Sequence, residues 1–311
     1  MEYFLQMPVW ASFQRSLGRT VHEESGPGWR FLAVEEKNPA GKVIYTPYGP
    51  VADSLEAFDD AVSALVAIAR RSRAVCVRME PVAAGFQAVD AAAVLGARGL
   101  QPAPSNQQPE LSWIVDLEGD FKDVLAGMKP TNRNLYRNIH KKGVTFRSSQ
   151  DPEEISVLLN FLHMTAARNG FKPQSDGYLS AVARSLMPAG AGTLFIAELE
   201  GEPIAAALAY DSADTRTYAH AALDDTHRKL SAGIPLLVTL MADAKDKGLK
   251  HVDLWGVAPE NEPDHKWAGF TAFKKSFGGR EIAYPGTWDL PVNKLRYGAY
   301  QLTRKLREKL R

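Results

Sequence analysis

Apolar and polar positions along this chain follow two rhythms, and the order of those rhythms is written twice. WRFLAVEEK (29–37) and KVIYTPYGPV (42–51) are rich in β-branched and aromatic residues and are joined by the turn NPAG, which predicts a hairpin. SLEAFDDAVSALVAIARRS (54–72) changes to a helical period, with Leu55, Phe58, Val62 and Leu65 three or four residues apart, so one face should cover a sheet. The strand AVCVRME (74–80) follows.

The second half repeats the plan. TLFIAELE turns through Gly201 into PIAAALAYD, then come the strand RTYAHAAL, the helix GIPLLVTLMADAKDKG and the strand KHVDLWGV. A hairpin, a covering helix and a further strand, present twice, predict an α/β chain of two related units. The loop LQPAPSNQQPE (100–110) leads into the strand LSWIVDL. The boundary between units is placed after residue 145, ahead of the helix DPEEISVLLNFLHMTAARNG, where Asp151 is the expected N-cap and Pro152 the first helical residue.

Composition sharpens this picture by exclusion. The 311 residues, 45% hydrophobic and 23% charged with a net charge of +1, describe a globular chain whose basic surface must be local. No apolar run approaches the roughly 18 to 20 residues of a membrane span, and the N-terminus lacks the layout of a signal peptide; a cytoplasmic protein is expected. Cys76 stands alone and reads as a small buried hydrophobe. Seven histidines without ligand spacing predict no metal. GxSxG, Walker and GxGxxG motifs are missing.

Three stretches could carry chemistry. KPTNRNLYRNIHKKGVTFR (129–147) has no acid, and Lys129, Arg133, Arg137 and Lys141 recur every fourth residue. On one helix face these like charges oppose one another by about 0.2 to 0.5 kcal/mol per pair; the stripe is a solvated face or a phosphate-binding one. A second basic cluster, with Glu308 its lone acid, runs from Lys294 to Arg311. In FTAFKKSFGG (270–279), Phe270, Phe273 and Phe277 have the spacing to pack inward while Lys274 and Lys275 snorkel. A lysine held instead in a low-dielectric pocket would stabilise an oxyanion, and spacing does not choose between the two.

THRKLSAGIPLL (226–237) resembles the acyl-CoA pyrophosphate loop of GNAT acetyltransferases, with Arg228 and Gly233 in place but Ser231 where the first glycine stands. Taken in order, FLQMPVW, YTPYGPV, QPELSWIVDL, KPTNRNLYRNIHKKGV, TAARNGF, VDLWGV and FKKSFGG resemble the Fem (FemABX) family of non-ribosomal peptidyltransferases. That resemblance implies two tandem GNAT-like (acyl-CoA N-acyltransferase-like) domains, 1–145 and 146–289, with segment 290–311 returning to the first; the coiled-coil arm of some members is lacking. It implies transfer of an amino acid from aminoacyl-tRNA to an amine of a nucleotide- or lipid-linked peptidoglycan precursor, by a cytoplasmic monomer without cofactor, meeting the membrane only at its inner surface. Lys274 is then the oxyanion-stabilising catalytic residue. Arg228 falls to an acceptor diphosphate. Arg15, beside the Gln14 that replaces a family lysine, falls to phosphate. Tyr218, Trp255 and Asp253 border the peptide substrate, and Lys129, Arg133, Arg137, Lys141 and Lys275 meet tRNA. A coenzyme A-dependent N-acetyltransferase, a tRNA-dependent transferase of a secondary-metabolite or resistance pathway, and a non-catalytic tRNA- or precursor-binding protein remain open.

Overall fold

The computed structural model describes residues 1–86, 90–170, 172–265 and 267–309. Phe171 of TAARNGF and Arg311 of the C-terminal basic cluster lie outside the described residues. The chain divides into one unit of residues 5–110 and 283–311 and another of residues 1–4 and 111–282.

In the first unit the strands are β1 (Val21–Gly26), β2 (Trp29–Asn38), β3 (Gly41–Thr46), β4 (Val51–Ala52), β5 (Cys76–Met79), β6 (Val82–Ala83) and β7 (Gln101–Pro102), joined late in the chain by β15 (Trp288–Pro291). They form one sheet in the order β6-β4-β2-β3-β5-β15-β7, with β1 also pairing to β2. Helix α1 (Pro8–Ser16) precedes them; α2 (Leu55–Arg71) links the parallel strands β3 and β5. The Ser54 hydroxyl caps α2 by accepting the Ala57 N–H at 3.1 Å, a cap that contributes about 1 kcal/mol. Phe58, Ala61, Leu65 and Ile68 form its buried face, and each large side chain there contributes about 1.5–3 kcal/mol. Every residue of β5 is buried, as befits a strand covered on both faces. The short α3 (Ala91–Ala97) completes this part of the chain.

The other unit holds β8 (Leu111–Asp116), β9 (Val144–Ser149), β10 (Gly192–Leu199), β11 (Glu202–Asp211), β12 (Thr215–Leu223), β13 (His251–Gly256) and β14 (Arg280–Ala283), in the order β14-β8-β13-β12-β11-β10-β9. Its helices are α4 (Phe121–Gly127), α5 (Pro130–Asn138), α6 (Ile155–Asn169), α7 (Asp176–Leu186), α8 (Gly233–Asp246) and α9 (Ala268–Lys275); α10 (Lys294–Lys309) belongs to the first unit. Asp151 caps the turn ahead of α6 by accepting the Glu153 N–H at 3.0 Å.

The repeated pattern has a structural counterpart. In each unit a helix crosses between parallel strands, α2 between β3 and β5 and α8 between β12 and β13. In each unit an antiparallel strand then flanks the crossover strand, β15 beside β5 and β8 beside β13. That pairing accounts for where the units divide: after Glu110 rather than after residue 145, since β8 is needed beside β13, and again at 283 rather than 290, since β15 is needed beside β5.

The largest fully buried side chain is charged. Arg216 on β12 donates to both carboxylate oxygens of Asp211 (2.7 and 2.6 Å), to Asp243 (2.6 Å) and to the Leu240 carbonyl (3.0 Å), and lies 5.0 Å from the Phe195 ring centroid. Deleting one member of a buried ion network strands the others and costs about 3–5 kcal/mol. Arg216→Met should lower the urea-unfolding free energy by about that amount, and adding Asp211→Leu should recover part of it. A single-variant cost under about 1 kcal/mol would show that the network is dispensable.

Candidate functional site

β13 has different neighbours along its two edges. It pairs with β12 from Thr215↔His251 to Thr217↔Asp253, where the register ends. On the other edge it pairs with β8 through Asp253↔Ile114 and resumes at Gly256↔Ser112, so three steps of β13 oppose two of β8. This is a bulge, a device that re-aims side chains near sites. Trp255 sits in it at φ 65°, a left-handed conformation costing roughly 1–2 kcal/mol outside glycine. The Asp253 carboxylate holds the turn, accepting the Trp255 N–H at 2.7 Å and the Ser112 hydroxyl at 2.6 Å.

The bulge presents the Gly256 carbonyl, and Lys274 Nζ donates to it at 2.6 Å. Lys274 can do so because α9 is fastened at its middle and at its C-terminal cap. Thr271 Oγ1 accepts the Ala258 N–H at 2.7 Å, while Asn132 Nδ2 donates to Ser276 Oγ at 2.8 Å and the Lys129 N–H to the Ser276 carbonyl at 2.9 Å. The glycine pair then lets the chain pass against its neighbours. A Cβ on Gly278 (φ +76°) would come 2.9 Å from the Gly127 carbonyl oxygen, and one on Gly279 (φ +95°) 2.2 Å from that of Ile114.

The pattern of FTAFKKSFGG is thereby corrected. Phe277 is wholly buried and meets Phe273 edge-on at 5.0 Å, but Phe270 is 61% exposed and Lys274 turns inward. Lys275 is half-buried, its ammonium 5.1 Å from the Trp113 ring centroid. Burial lowers the Lys274 pKa to about 8, the nearby Asp253 charge opposing the shift. Burial likewise raises the Asp253 carboxyl above its ordinary value, against the Ser112 and Trp255 hydrogen bonds and the Lys274 charge. With one N–H on Gly256, the ammonium keeps two further donors.

Tyr218 follows directly on Thr217, where β12 and β13 stop pairing, and burial raises its phenol pKa. Two residues on, His220 stands edge-on to Tyr210 at 6.2 Å, and burial lowers its pKa to about 4, so it is neutral at pH 7. Asp253, Trp255 and Lys274 therefore come together, with Tyr218 on the adjoining strand. Other expected residues stand apart from this group's bonds. Arg228 is exposed in the turn before α8, where Ser231 takes the glycine-like φ of 52°. Arg15, in the other unit, pairs with Glu23.

The expected single basic stripe is also corrected. The α-helix ends at Asn138 and residues 139–142 form a 3-10 turn, which breaks the four-residue repeat before Lys141. Arg133 donates to the Ala126 and Met128 carbonyls, both at 2.7 Å, and so closes the end of α4; Lys141 donates to Asn138 at 2.8 Å. Lys129 and Arg137 are exposed. Ser112, Gly256 and Asn132, which hold the site, were not singled out by sequence; Ser112 lies in the LSWIVDL strand, but only the register reveals its partner. Among the described residues no group of three or more His, Cys, Asp or Glu is placed to hold a metal.

Two sheets built on one plan, in one of which the parallel strands part beside a bulge, define a tandem GNAT-like fold. Residues 129–267 match the family model described as an acetyltransferase (GNAT) domain. The particular arrangement is Fem-like. The crystal structure of FemX superposes with a TM-score of 0.85 at 19% identity, over 96% of this chain and 94% of that one. L-PGS from Bacillus licheniformis superposes at 0.60 with 15% identity over 97% and 94%. A tandem GNAT protein from the clavulanic acid biosynthesis pathway gives 0.55 with 12% identity over 94% and 90%. No curated protein matches the sequence.

Two outcomes test this geometry. Below pH 8 folded and unfolded Lys274 are both protonated and the burial cost is complete; between about 8 and the unfolded value near 10.4 the unfolded chain binds the extra proton, so stability rises with pH. Unfolding at pH 7 and pH 10 should show wild type gaining on Lys274→Met across that window, whereas parallel curves would contradict a half-buried ammonium. Gly279→Ala should lower stability by at least about 1 kcal/mol through its φ alone, and an unchanged thermal midpoint would refute the close approach.

Proposed function

We propose that this protein is an aminoacyltransferase that moves an amino acid from aminoacyl-tRNA to an amine of a peptidoglycan-precursor stem peptide. The observation that carries the reading is the half-buried Lys274 ammonium, fixed on the Gly256 carbonyl beside Asp253 and lowered in pKa by its partial burial. Its support from likeness is the fold shared with FemX and with L-PGS. An aminoacyl ester is already activated, so the protein has to position two substrates and stabilise developing negative charge.

In the reaction the acceptor amine attacks the ester carbonyl carbon. A C–N bond forms and the carbonyl oxygen becomes an oxyanion, toward which Lys274 directs its remaining N–H donors. Collapse breaks the bond to the ribose oxygen of the tRNA 3′ end; that oxygen takes up a proton, and the amine gives one up. Asp253 and Ser112 position the bulge, while Tyr218 and Trp255 border the acceptor peptide. Arg228 takes a diphosphate of the acceptor's carrier, with Arg15 in a lesser phosphate-binding role. Exposed Lys129 and Arg137, with Lys141, Arg133 and Lys275, supply the basic surface for tRNA.

A second reading, a coenzyme A-dependent N-acetyltransferase, is favoured by the GNAT match and by the glycine-like backbone of Ser231. The two separate in one experiment. The protein is incubated with charged tRNA and nucleotide- or lipid-linked precursors, or with acetyl-CoA and the same acceptors, and the products are read by mass spectrometry. RNase-sensitive extension of the stem peptide is expected; acetylation alone would replace the proposal with its rival. Lys274→Met should lower transfer by about 10²–10³-fold, and wild-type transfer should decline as pH rises through about 8. Near-normal turnover of the variant would remove Lys274 from the mechanism.

A further inference from the structure

Helix α10 (Lys294–Lys309) has two faces of opposite fate. Tyr297 and Tyr300 are buried, 5% and 4% exposed, against Val43, Val75 and Cys76, and their rings stack at 6.1 Å. The Tyr297 hydroxyl donates to Asp289 at 2.9 Å, and Arg296 donates to the Arg73 carbonyl at 3.2 Å. The other face carries Leu295, Leu302 and Leu306, which are 88%, 61% and 55% exposed, with exposed Ala299 between them. Spacings of four, three and four residues place these four on one line along the helix.

Exposed leucines in a row are costly in water, at about 25 cal/mol per Å² of apolar surface. The sequence around them is strongly basic: Lys294, Arg296, Arg304, Lys305, Arg307, Lys309 and Arg311 face one acid, Glu308. A basic helix with an apolar stripe matches the interface of an anionic bilayer, whose acyl boundary takes up leucine and whose headgroups attract lysine and arginine. A nucleic acid would use the charge and leave the leucines without a partner. Among the described residues no helix is long and apolar enough to cross a membrane, so contact through this helix would be peripheral.

We infer that α10 is a membrane-docking surface that lays Leu295, Leu302 and Leu306 into the interface of an anionic lipid bilayer. The tyrosine face fastens the helix to the sheet, so the leucine face is already turned outward before lipid is met. This inference is independent of the aminoacyl-transfer reading, and the leucine substitutions below should leave transfer to a water-soluble acceptor unchanged.

The test is co-sedimentation of the full chain with phosphatidylcholine vesicles containing roughly a third phosphatidylglycerol, beside pure phosphatidylcholine. Binding to the anionic vesicles at least about tenfold tighter than to the neutral ones, weakened by salt, is expected. Leu302→Glu with Leu306→Glu should lower it by about tenfold or more, and Lys294→Gln by about fivefold. Circular dichroism and thermal unfolding of the leucine variant should match wild type, since these side chains support no core. Equal affinity for both vesicles, or a leucine variant that still binds fully, would overturn the inference. So would a leucine variant that loses tRNA binding or self-association in place of vesicle binding.

Discussion

The candidate site depends on one carboxylate. Asp253 is the last residue of β13 paired to β12 and the first to meet the bulge against β8. A strand leaving one neighbour while keeping the other must change its twist, and here the change is taken up at Trp255 in a left-handed conformation. That strain persists only where surrounding bonds over-determine it. The Ser112 hydroxyl on one strand and the Trp255 amide in the turn, both on Asp253 Oδ1, supply them. Without this turn the Gly256 carbonyl would not stand where Lys274 finds it.

Two cations in the same unit, Arg216 fully buried and Lys274 half-buried, show how differently the loss of water can be resolved. Arg216 meets two carboxylates and a carbonyl with its planar fork, and these partners hold its pKa above the ordinary value against the opposing effect of burial. Such an ion is structural, with its donors committed to the fold. Lys274 has one carbonyl and a carboxylate that acts on it through space, so burial prevails and its pKa falls to about 8. A cation with donors in reserve is poised to answer a new negative charge, which is why perturbed lysines gather at reactive sites.

The sequence made the elements legible wherever period and punctuation agreed. The hairpins, α2, α8 and the central strands follow from apolar spacing, and Asp151 acts as a cap as its position implies. Register is a different kind of information. Nothing local in LSWIVDL says that it pairs with β13 across more than a hundred residues, so apolar spacing alone places the unit boundary after residue 145 and not after Glu110. The inward turn of Lys274 was equally hidden, for helical spacing places Phe270 and Phe277 seven residues apart on one face, and only the exposed end of α9 frees Phe270 to solvent. The basic stripe failed for a local reason: the α-helix stops at Asn138, and Lys141 lies in the 3-10 turn that follows, where the four-residue period no longer holds.

The segment after residue 282 links sheet completion to surface chemistry. β15 must sit beside β5 because Arg78, buried in that strand, needs the Asp289 carboxylate at 2.7 and 2.8 Å. Asp289 in turn takes the Tyr297 hydroxyl, so the ion pair that closes the sheet also sets the rotation of α10 about its own axis. With Tyr297 and Tyr300 committed inward, helical geometry leaves Leu295, Leu302 and Leu306 no choice but the opposite face. A chain under selection for solubility alone has little reason to keep leucines there, since polar residues would serve the tyrosine contacts equally well. Their exposure follows from the same buried pair that makes the sheet whole, and it gives the C-terminal segment a surface that the core itself does not require.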